Sequence, residues 1–478
     1  MTLEELKGRI FDAQDIDDSK LEKFRKEDFE GDSKINNVVI QLQRNHNFIT
    51  LRKTDEILLY NEKIYDKLQA ESIIKEKTEK LIPICTTRDR NEVINKIKAQ
   101  TYSDLEKFDV DLNLITVENG ILNLETCMTE PHTPKHLSRV LLPVEYHTPK
   151  YEIRDETIFE DIEKNLKGTV FWKFLKRSFT INGKFRKEDF ETVLEIIAST
   201  TIKRHVDEKA FMFLGTGENG KSVCLGYIQS IIGKNNVSSI TLQDIAEDSF
   251  MRANLDGMSA NIFSDLEQNE LRKTGKIKAI TSGEGIEVQK KYGQPFTLYP
   301  SCKLLFSCNR FPKVYDQTQG FFRRWVIVKW ERDFENDPER IEYLREQLEE
   351  NQDEKNQVFS CLVRIANKLN RIGKFTHSKD WKTIQKEWNE NADPLNDFVE
   401  NYIVESDENK GVRETYQFYK EAMLSKQERP LGIGQFGRVF KEYFDQEVIK
   451  EEGKAKRVWL NIDFKRPKQI TLKEIDDN

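Results

Sequence analysis

The run Ala210-Phe-Met-Phe-Leu214 is apolar throughout and stops at Gly215-Thr-Gly-Glu-Asn-Gly-Lys-Ser222, after which Val223 to Gly233 shows helical apolar spacing. A buried strand, a glycine loop and a helix in that order mark this part of the chain as an α/β domain of its own. The eight loop residues satisfy GxxxxGK[ST] at every fixed position, which chance supplies in only roughly one or two chains per hundred of this length. Glycines let the backbone wrap around phosphate oxygens, so that several N–H groups and the helix N-terminus face negative charge. Gly215, Thr216, Gly217, Glu218, Asn219, Gly220, Lys221 and Ser222 are therefore the candidate nucleotide cradle. Lys221 would neutralise the β and γ phosphates of ATP, and Ser222 would offer its hydroxyl to Mg²⁺.

A magnesium–phosphate site needs an acid nearby, and Ala260 to Ser264 reads as a short strand delivering Asp265 and, two residues on, Glu267. Asp265 is the candidate on the magnesium side and Glu267 the candidate for polarising water, with the roles open to exchange or to a plain surface charge. A third strand, Lys303 to Cys308, ends at Asn309, whose amide suits either a γ-phosphate sensor or a turn before Pro312. Arg323 and Arg324 precede another apolar strand. Paired arginines there would supply a finger to a neighbouring subunit's site, or merely surface charge.

The rest of the composition bounds the setting. At 478 residues the chain is expected to form about three units. The 76 Lys plus Arg against 83 Asp plus Glu leave a formal charge of −7, so any nucleic-acid contact must be local. Six cysteines form no CxxC pair, which argues against structural zinc. No window approaches roughly eighteen apolar residues, and the N-terminus has no apolar leader, so a soluble, cytoplasmic protein with no membrane partner is expected.

Residues 49–65 alternate around a turn and predict a hairpin, residues 90–107 have helical spacing, and Ile115 to Thr126 reads as two strands across Asn119-Gly120. Helical patterns fill 151–210. The acidic stretch after Phe334 reads as a solvated helix face, and Asp393-Pro394 marks a break. The expected division is a mixed α/β N-terminal domain (1–150), a helical connector (151–205), a P-loop core (206–335), a helical segment (336–392) and a terminal domain (393–478).

Taken together, GTGENGKS (215–222), NIFSDLE (261–267), the intervening 274–296, KLLFSCNRFP (303–312) and GFFRRW (320–325) resemble superfamily 3 helicases, specifically the helicase module of phage, plasmid and poxvirus-type primase-helicases. Upstream, ILLYNEKIY, TVENGILNLET and LLPVEY look like the domain that precedes it. The resemblance implies an AAA+-type, three-layer α/β/α core, Walker A at 215–222, the Walker B acid at Asp265, the sensor at Asn309 and the finger at Arg323 or Arg324. Many family members carry Glu at the Asp265 position, and Glu267 is an added acid here. A DNA-gripping hairpin is implied at 286–295, with Lys290 and Lys291 following phosphates and Tyr292 stacking on a base.

The tail reads independently as a winged helix. Residues 411–468 hold 13 Lys plus Arg and 9 Asp plus Glu, with two amphipathic helices and a basic strand. Arg438, Lys441, Lys456 and Arg457 are the candidate DNA contacts, and protein docking is the alternative. The expected function is a replicative, ring-forming DNA helicase of a virus, phage or plasmid, a homo-hexamer on single-stranded and forked DNA, working with a separate primase or polymerase. Residues 1–45 hold no acidic–histidine cluster, so no primer synthesis is expected of this polypeptide. The alternatives are an ATP-switched replication initiator that does not unwind, and a P-loop small-molecule kinase.

Overall fold

The computed structural model describes residues 32–465, apart from 216, 268, 292, 336, 338–340, 394, 426–428, 452 and 453. Thr216 and Tyr292, both candidates above, lie outside the described residues. By its contacts the chain sorts into two compact units. The first comprises Met1–Glu267, Leu271–Asn309 and Thr318–Lys379, and the second Gln268–Glu270, Arg310–Gln317 and Asp380–Asn478.

The first unit opens with a helix, Asp32–Asn45, and the antiparallel strands Phe48–Leu51 and Ile57–Tyr60 that the alternation predicts. Helices Ala70–Leu81 and Thr87–Thr101 cover this sheet, burying Ile74, Val93 and Ile97 with Ile35, Val38 and Val39. The second of these starts where it does because Thr86 and Asp89 form a reciprocal capping box, which satisfies two orphan N–H groups at once.

Strands Leu114–Val117 and Gly120–Asn123 pair antiparallel with Val117 opposite Gly120. The turn is thus Glu118-Asn119, one residue earlier than the expected Asn119-Gly120. Asn119 is not free to be a mere turn residue, because its side chain bonds both the N–H and the C=O of Tyr146. Gly120 is needed for a different reason: a Cβ there would lie 2.5 Å from the Glu130 carbonyl of the third strand, Met128–Glu130.

Helices Ile158–Leu166, Val170–Ser178, Lys187–Thr200 and Gln352–Ile372 share one core with the central sheet. The acidic run at the head of the last helix is not only a solvated face. Glu354 accepts hydrogen bonds from the N–H groups of Val170 (3.0 Å) and Phe171 (2.8 Å), so its charge serves the N-terminus of another helix.

The central sheet is built from β1 (Ala210–Leu214), β2 (Val237–Ser238), β3 (Ala260–Phe263), β6 (Lys303–Cys308) and β7 (Trp325–Lys329); an antiparallel hairpin, β4 (Ile286–Gln289) and β5 (Pro295–Leu298), stands between β3 and β6 in the chain. The order across the sheet is β2-β3-β6-β1-β7, and every pair is parallel. Helix α1 (Lys221–Ile232) follows β1 directly. The connection from β1 runs to the far edge of the sheet, while β7 returns to the other side of β1. That reversal is the kind of switch point at whose C-terminal strand ends α/β sheets bind ligands.

The second unit contains helices Trp381–Ala392, Asn396–Tyr402, Val412–Ser425 and Ile433–Phe440, followed by the strand pair Gln446–Glu451 and Lys454–Trp459. Its core is aromatic, with Phe398, Tyr419, Phe436, Phe440 and Trp459 mutually packed. The unit begins near 380 rather than at 393. Trp388 stacks on Phe311 at 4.4 Å and donates to the Pro312 carbonyl, which binds the 381–392 helix to this unit and divides the expected 336–392 segment. Among the described residues, no helix is long and apolar enough to cross a membrane.

Candidate functional site

Because the sheet is parallel, the C-terminal ends of β1, β3, β6 and β7 lie along one edge. Leu214 is level with Cys308 on one side and Lys329 on the other. The glycine loop leaves from that level, pinned by Gly215 N–H to the Cys308 carbonyl (3.2 Å), and Trp330 N–H returns to the Leu214 carbonyl (2.7 Å).

Within the loop, Asn219 is buried and uses both ends of its amide. Its Nδ2 donates to the Trp330 carbonyl (2.8 Å) and its Oδ1 accepts from Lys221 Nζ (3.0 Å), which also donates to the Gly215 carbonyl (2.7 Å). Burial pushes the Lys221 ammonium below the ordinary lysine value, and the nearby Cys308 and Asp265 act in the opposite direction. The carboxylate and the ammonium therefore share a field at this edge.

Each loop glycine has its own reason. A Cβ on Gly215 would lie 2.1 Å from Asn219 Nδ2 and 2.4 Å from the Trp330 carbonyl. Gly220 sits at φ 89°, and its Cβ would meet Phe174 at 2.9 Å. Gly217, at φ 110°, has open space and needs only the backbone freedom. Phe174, Phe179 and Phe213 gather around Trp330, so an aromatic floor supports the loop.

Asp265 is exposed at φ 139°, a conformation an L residue rarely adopts, and Leu266 N–H to the Ser307 carbonyl (2.8 Å) holds the chain there. Glu267 is exposed two residues on, and Asn309 is exposed immediately after β6. Ser222 is exposed on the first turn of α1. The structure thus brings Lys221, Ser222, Asp265 and Asn309 to one edge. Mg²⁺ bridging phosphates keeps several waters and takes only one or two protein oxygens, a demand that Ser222 and Asp265 fit. Among the described residues there is no group of three or more His, Cys, Asp or Glu side chains placed to hold a metal by themselves.

The arginine pair lies elsewhere. Ala210 N–H donates to the Arg324 carbonyl (2.7 Å), which puts Arg323 and Arg324 at the N-terminal end of β1, one strand length (roughly 15 Å) from the loop. Arg324 is buried and spent inside its own chain, donating to Thr281 Oγ1 (3.0 Å), Ser282 Oγ (2.8 Å) and the Gly320 carbonyl. Burial, with Arg323 beside it, lowers its pKa. Arg323 is exposed and pairs with Glu208, a carboxylate that also lies 3.2 Å from Arg324. The two arginines expected to be interchangeable are therefore not.

Lys290 also departs from expectation. Rather than standing free at the hairpin end, it is half-buried and ion-paired with Glu56 (2.7 Å) and Asp256 (3.7 Å). Asp256 keeps a lowered pKa: its burial acts to raise it, but Arg139 and Lys290 outweigh that. Lys291 is exposed. In the second unit Arg438, Lys441, Lys456 and Arg457 are all exposed, yet Lys456 and Arg457 are consecutive on one strand and point to opposite faces of the ribbon.

Sequence reasoning missed the segment after β7. Phe334 N–H holds the Glu218 carbonyl (3.0 Å), and a cavity of about 280 Å³ beside the loop is lined by Glu218, Asn219, Trp330 and Arg332. Its only sequence signal was proximity to the fifth strand.

This geometry defines a mixed α/β protein with a glycine loop, a buried lysine and an acid on one edge of a parallel sheet. Comparison with known proteins narrows it. A model described as D5 N terminal like matches residues 23–210, and a family of unknown function, DUF5906, matches residues 213–324. Those two regions in tandem make the chain similar to phage and viral D5-type helicases. It is 24% identical over 362 residues to "Putative helicase L207/L206" of Acanthamoeba polyphaga mimivirus, covering 70% of this chain and 35% of that one. It is 23% identical over 328 residues to "Putative helicase 121R" of Invertebrate iridescent virus 3, covering 62% and 32%. The chain spans about a third of the length of these relatives. Among solved structures, the NrS-1 C-terminal region aligns at TM-score 0.47 and 11% identity, over 88% of this chain and 97% of that one.

Proposed function

We propose that this chain is the ATP-driven motor of a viral or phage replicative DNA helicase, with an AAA+-type P-loop core that assembles into a homo-hexameric ring. The observation that carries this reading is the separation of functions across the sheet. The loop, Asp265 and Asn309 occupy one edge, while the exposed Arg323 occupies the other, out of reach of its own loop. A head-to-tail ring would set one subunit's Arg323 edge against the next subunit's loop edge.

Bound Mg·ATP would supply the scissile γ-phosphate and the metal that spreads its charge. Lys221 would turn from the Gly215 carbonyl to the β and γ phosphate oxygens while keeping its bond to Asn219 Oδ1, which orients it. Ser222 and Asp265 would hold the metal side, Glu267 would polarise the attacking water, and Asn309 would orient that water from β6. Arg323 would stabilise charge developing in the neighbouring site. The β4–β5 hairpin, through Lys291 and Tyr292, would track single-stranded DNA. The helix–helix–ribbon order of the second unit supports a winged helix, with Arg438 and Lys441 toward DNA and either Lys456 or Arg457, but not both on one face.

Strand displacement on a forked duplex tests the reading. Wild type should unwind with ATP, and Lys221→Ala and Arg323→Ala should not. ATP-dependent assembly on DNA without strand displacement would favour a switched initiator instead, and a phosphorylated small-molecule product would favour a kinase.

A further inference from the structure

In the first unit, the 352–372 helix presents Arg364, Asn367 and Arg371 at helical spacing on one face, while Phe359, Leu362, Ile365 and Leu369 are buried on another. That polar face, with Arg154 and Arg204, lines a cavity of about 680 Å³. The size lies within the roughly 300–1,000 Å³ range of small-ligand sites.

The four guanidinium groups are not equivalent. Arg371 is paired with Asp155, and Arg154 with Asp161 (3.3 Å). Among the described residues, neither Arg204 nor Arg364 has a carboxylate partner. Arg204 donates to the Asn370 carbonyl (2.7 Å) and Arg364 to Cys127 Sγ (3.5 Å). A guanidinium carries five donors, so most of both forks remains available to a ligand. The acids that line the cavity besides Asp155 are Glu125 and Glu156, both exposed, and Glu125 accepts from Asn113 (2.9 Å). They are screened by solvent, as is the exposed Arg204, whereas Arg364 is half-buried.

A second observation also points to a ligand. Asn370 is 7% exposed and donates through Nδ2 to Asn113 (2.6 Å), yet its Oδ1 is buried with no hydrogen-bond partner among the described residues. An orphaned buried acceptor costs about 1–3 kcal/mol unless something donates to it. The site therefore offers unspent fork donors that suit an oxyanion, and one acceptor that suits an N–H beside it.

We propose that this cavity binds a nucleotide phosphate, held by Arg204 and Arg364, with an N–H of the same ligand reaching Asn370. Nothing in this depends on the motor function proposed above. The ligand would be either a nucleotide of single-stranded nucleic acid or a free phosphate compound, and the test separates these sources.

Fluorescein-labelled oligo(dA) and oligo(dT) of about 15 nucleotides, a length within the span of single-strand sites, would be titrated in low salt without ATP. Inorganic phosphate would be titrated by calorimetry in parallel. All measurements use the Lys221→Ala full-length protein, so that the glycine loop contributes little phosphate binding. With Arg204→Ala/Arg364→Ala added, oligonucleotide affinity should fall about tenfold or more, and the slope of log affinity against log salt should shrink by about one to two. Arg204→Lys/Arg364→Lys keeps the charge without the fork and should fall between; it also stands in if the alanine pair fails to fold. Binding of phosphate but not oligonucleotide, lost in the same variants, would support the site with a free phosphate as its ligand. Unchanged binding of both probes by a variant of native thermal stability would overturn the proposal.

Discussion

At the scale of single residues, Asn219 shows how much of a loop's function lies in contacts its motif does not record. The pattern requires only glycine, lysine and serine or threonine, and leaves this position open. In the structure Asn219 ties the lysine to the chain leaving β7, and its amide fills the space that a Cβ on Gly215 would occupy. Asn219→Ala should therefore weaken binding of a fluorescent ATP analogue by about tenfold, the loss of one hydrogen bond to a charged group, while the melting temperature shifts by only a few degrees. Equal nucleotide affinity in the variant would mean that Lys221 is oriented by the Gly215 carbonyl alone.

His205 carries a second prediction at this scale. Its Nε2 bonds the Pro300 carbonyl (2.7 Å), and burial pushes its pKa down from 6.5 to about 4. The folded state resists protonation that the unfolded chain accepts. The stability contributed is complete above pH 6.5 and is lost as pH falls from 6.5 toward 4, by about 3 kcal/mol at most. His205→Gln keeps a donor for Pro300 but does not titrate. Denaturant unfolding at pH 7 and pH 4.5 should show a smaller acid loss for the variant than for wild type, and equal losses would reject the assignment.

At the scale of elements, the strands and long helices were legible because their periodicity reports burial directly. The strand–loop–helix at 210–232 follows from such a pattern, whereas the hairpin, expected at 286–295, has its second strand at Pro295–Leu298. What the pattern could not show is which charge serves another element. Glu354 sits in a run that reads as solvated, and its partners are 183 and 184 positions away. Likewise Lys290 looks free in a local reading, because Glu56 is 234 positions distant. Glu354→Gln should destabilise the first unit by about 1 kcal/mol, the worth of a charged cap on the 170–178 helix, while the exposed Glu350→Gln should change stability little. Urea unfolding of both variants checks this.

At the scale of the whole molecule, the overall −7 charge says little about the proposed motor, whose candidate cations are few and placed. Lys221 is buried, Lys290 is paired within the chain, and Arg324 is spent on Thr281 and Ser282. This leaves Arg323 as the member of its pair with a surface to offer a neighbour. The sequence marked both arginines equally, since only folding buries one of two adjacent side chains. If active sites form between head-to-tail subunits, a site needs its loop from one chain and its arginine from the next. Lys221→Ala and Arg323→Ala proteins should each lack ATPase activity. Mixed in equal amounts under conditions that allow subunit exchange, random assembly pairs an intact loop with an intact arginine at about one interface in four, so activity should return to about a quarter of wild type. Substituting Arg324→Ala for Arg323→Ala discriminates further. Arg324 braces the segment before the hairpin from within its own chain, so its loss should reduce strand displacement more than basal hydrolysis, and mixing with Lys221→Ala should not restore unwinding. Full ATPase activity in Arg323→Ala alone would remove the arginine from the chemistry and, with it, the argument for a shared site.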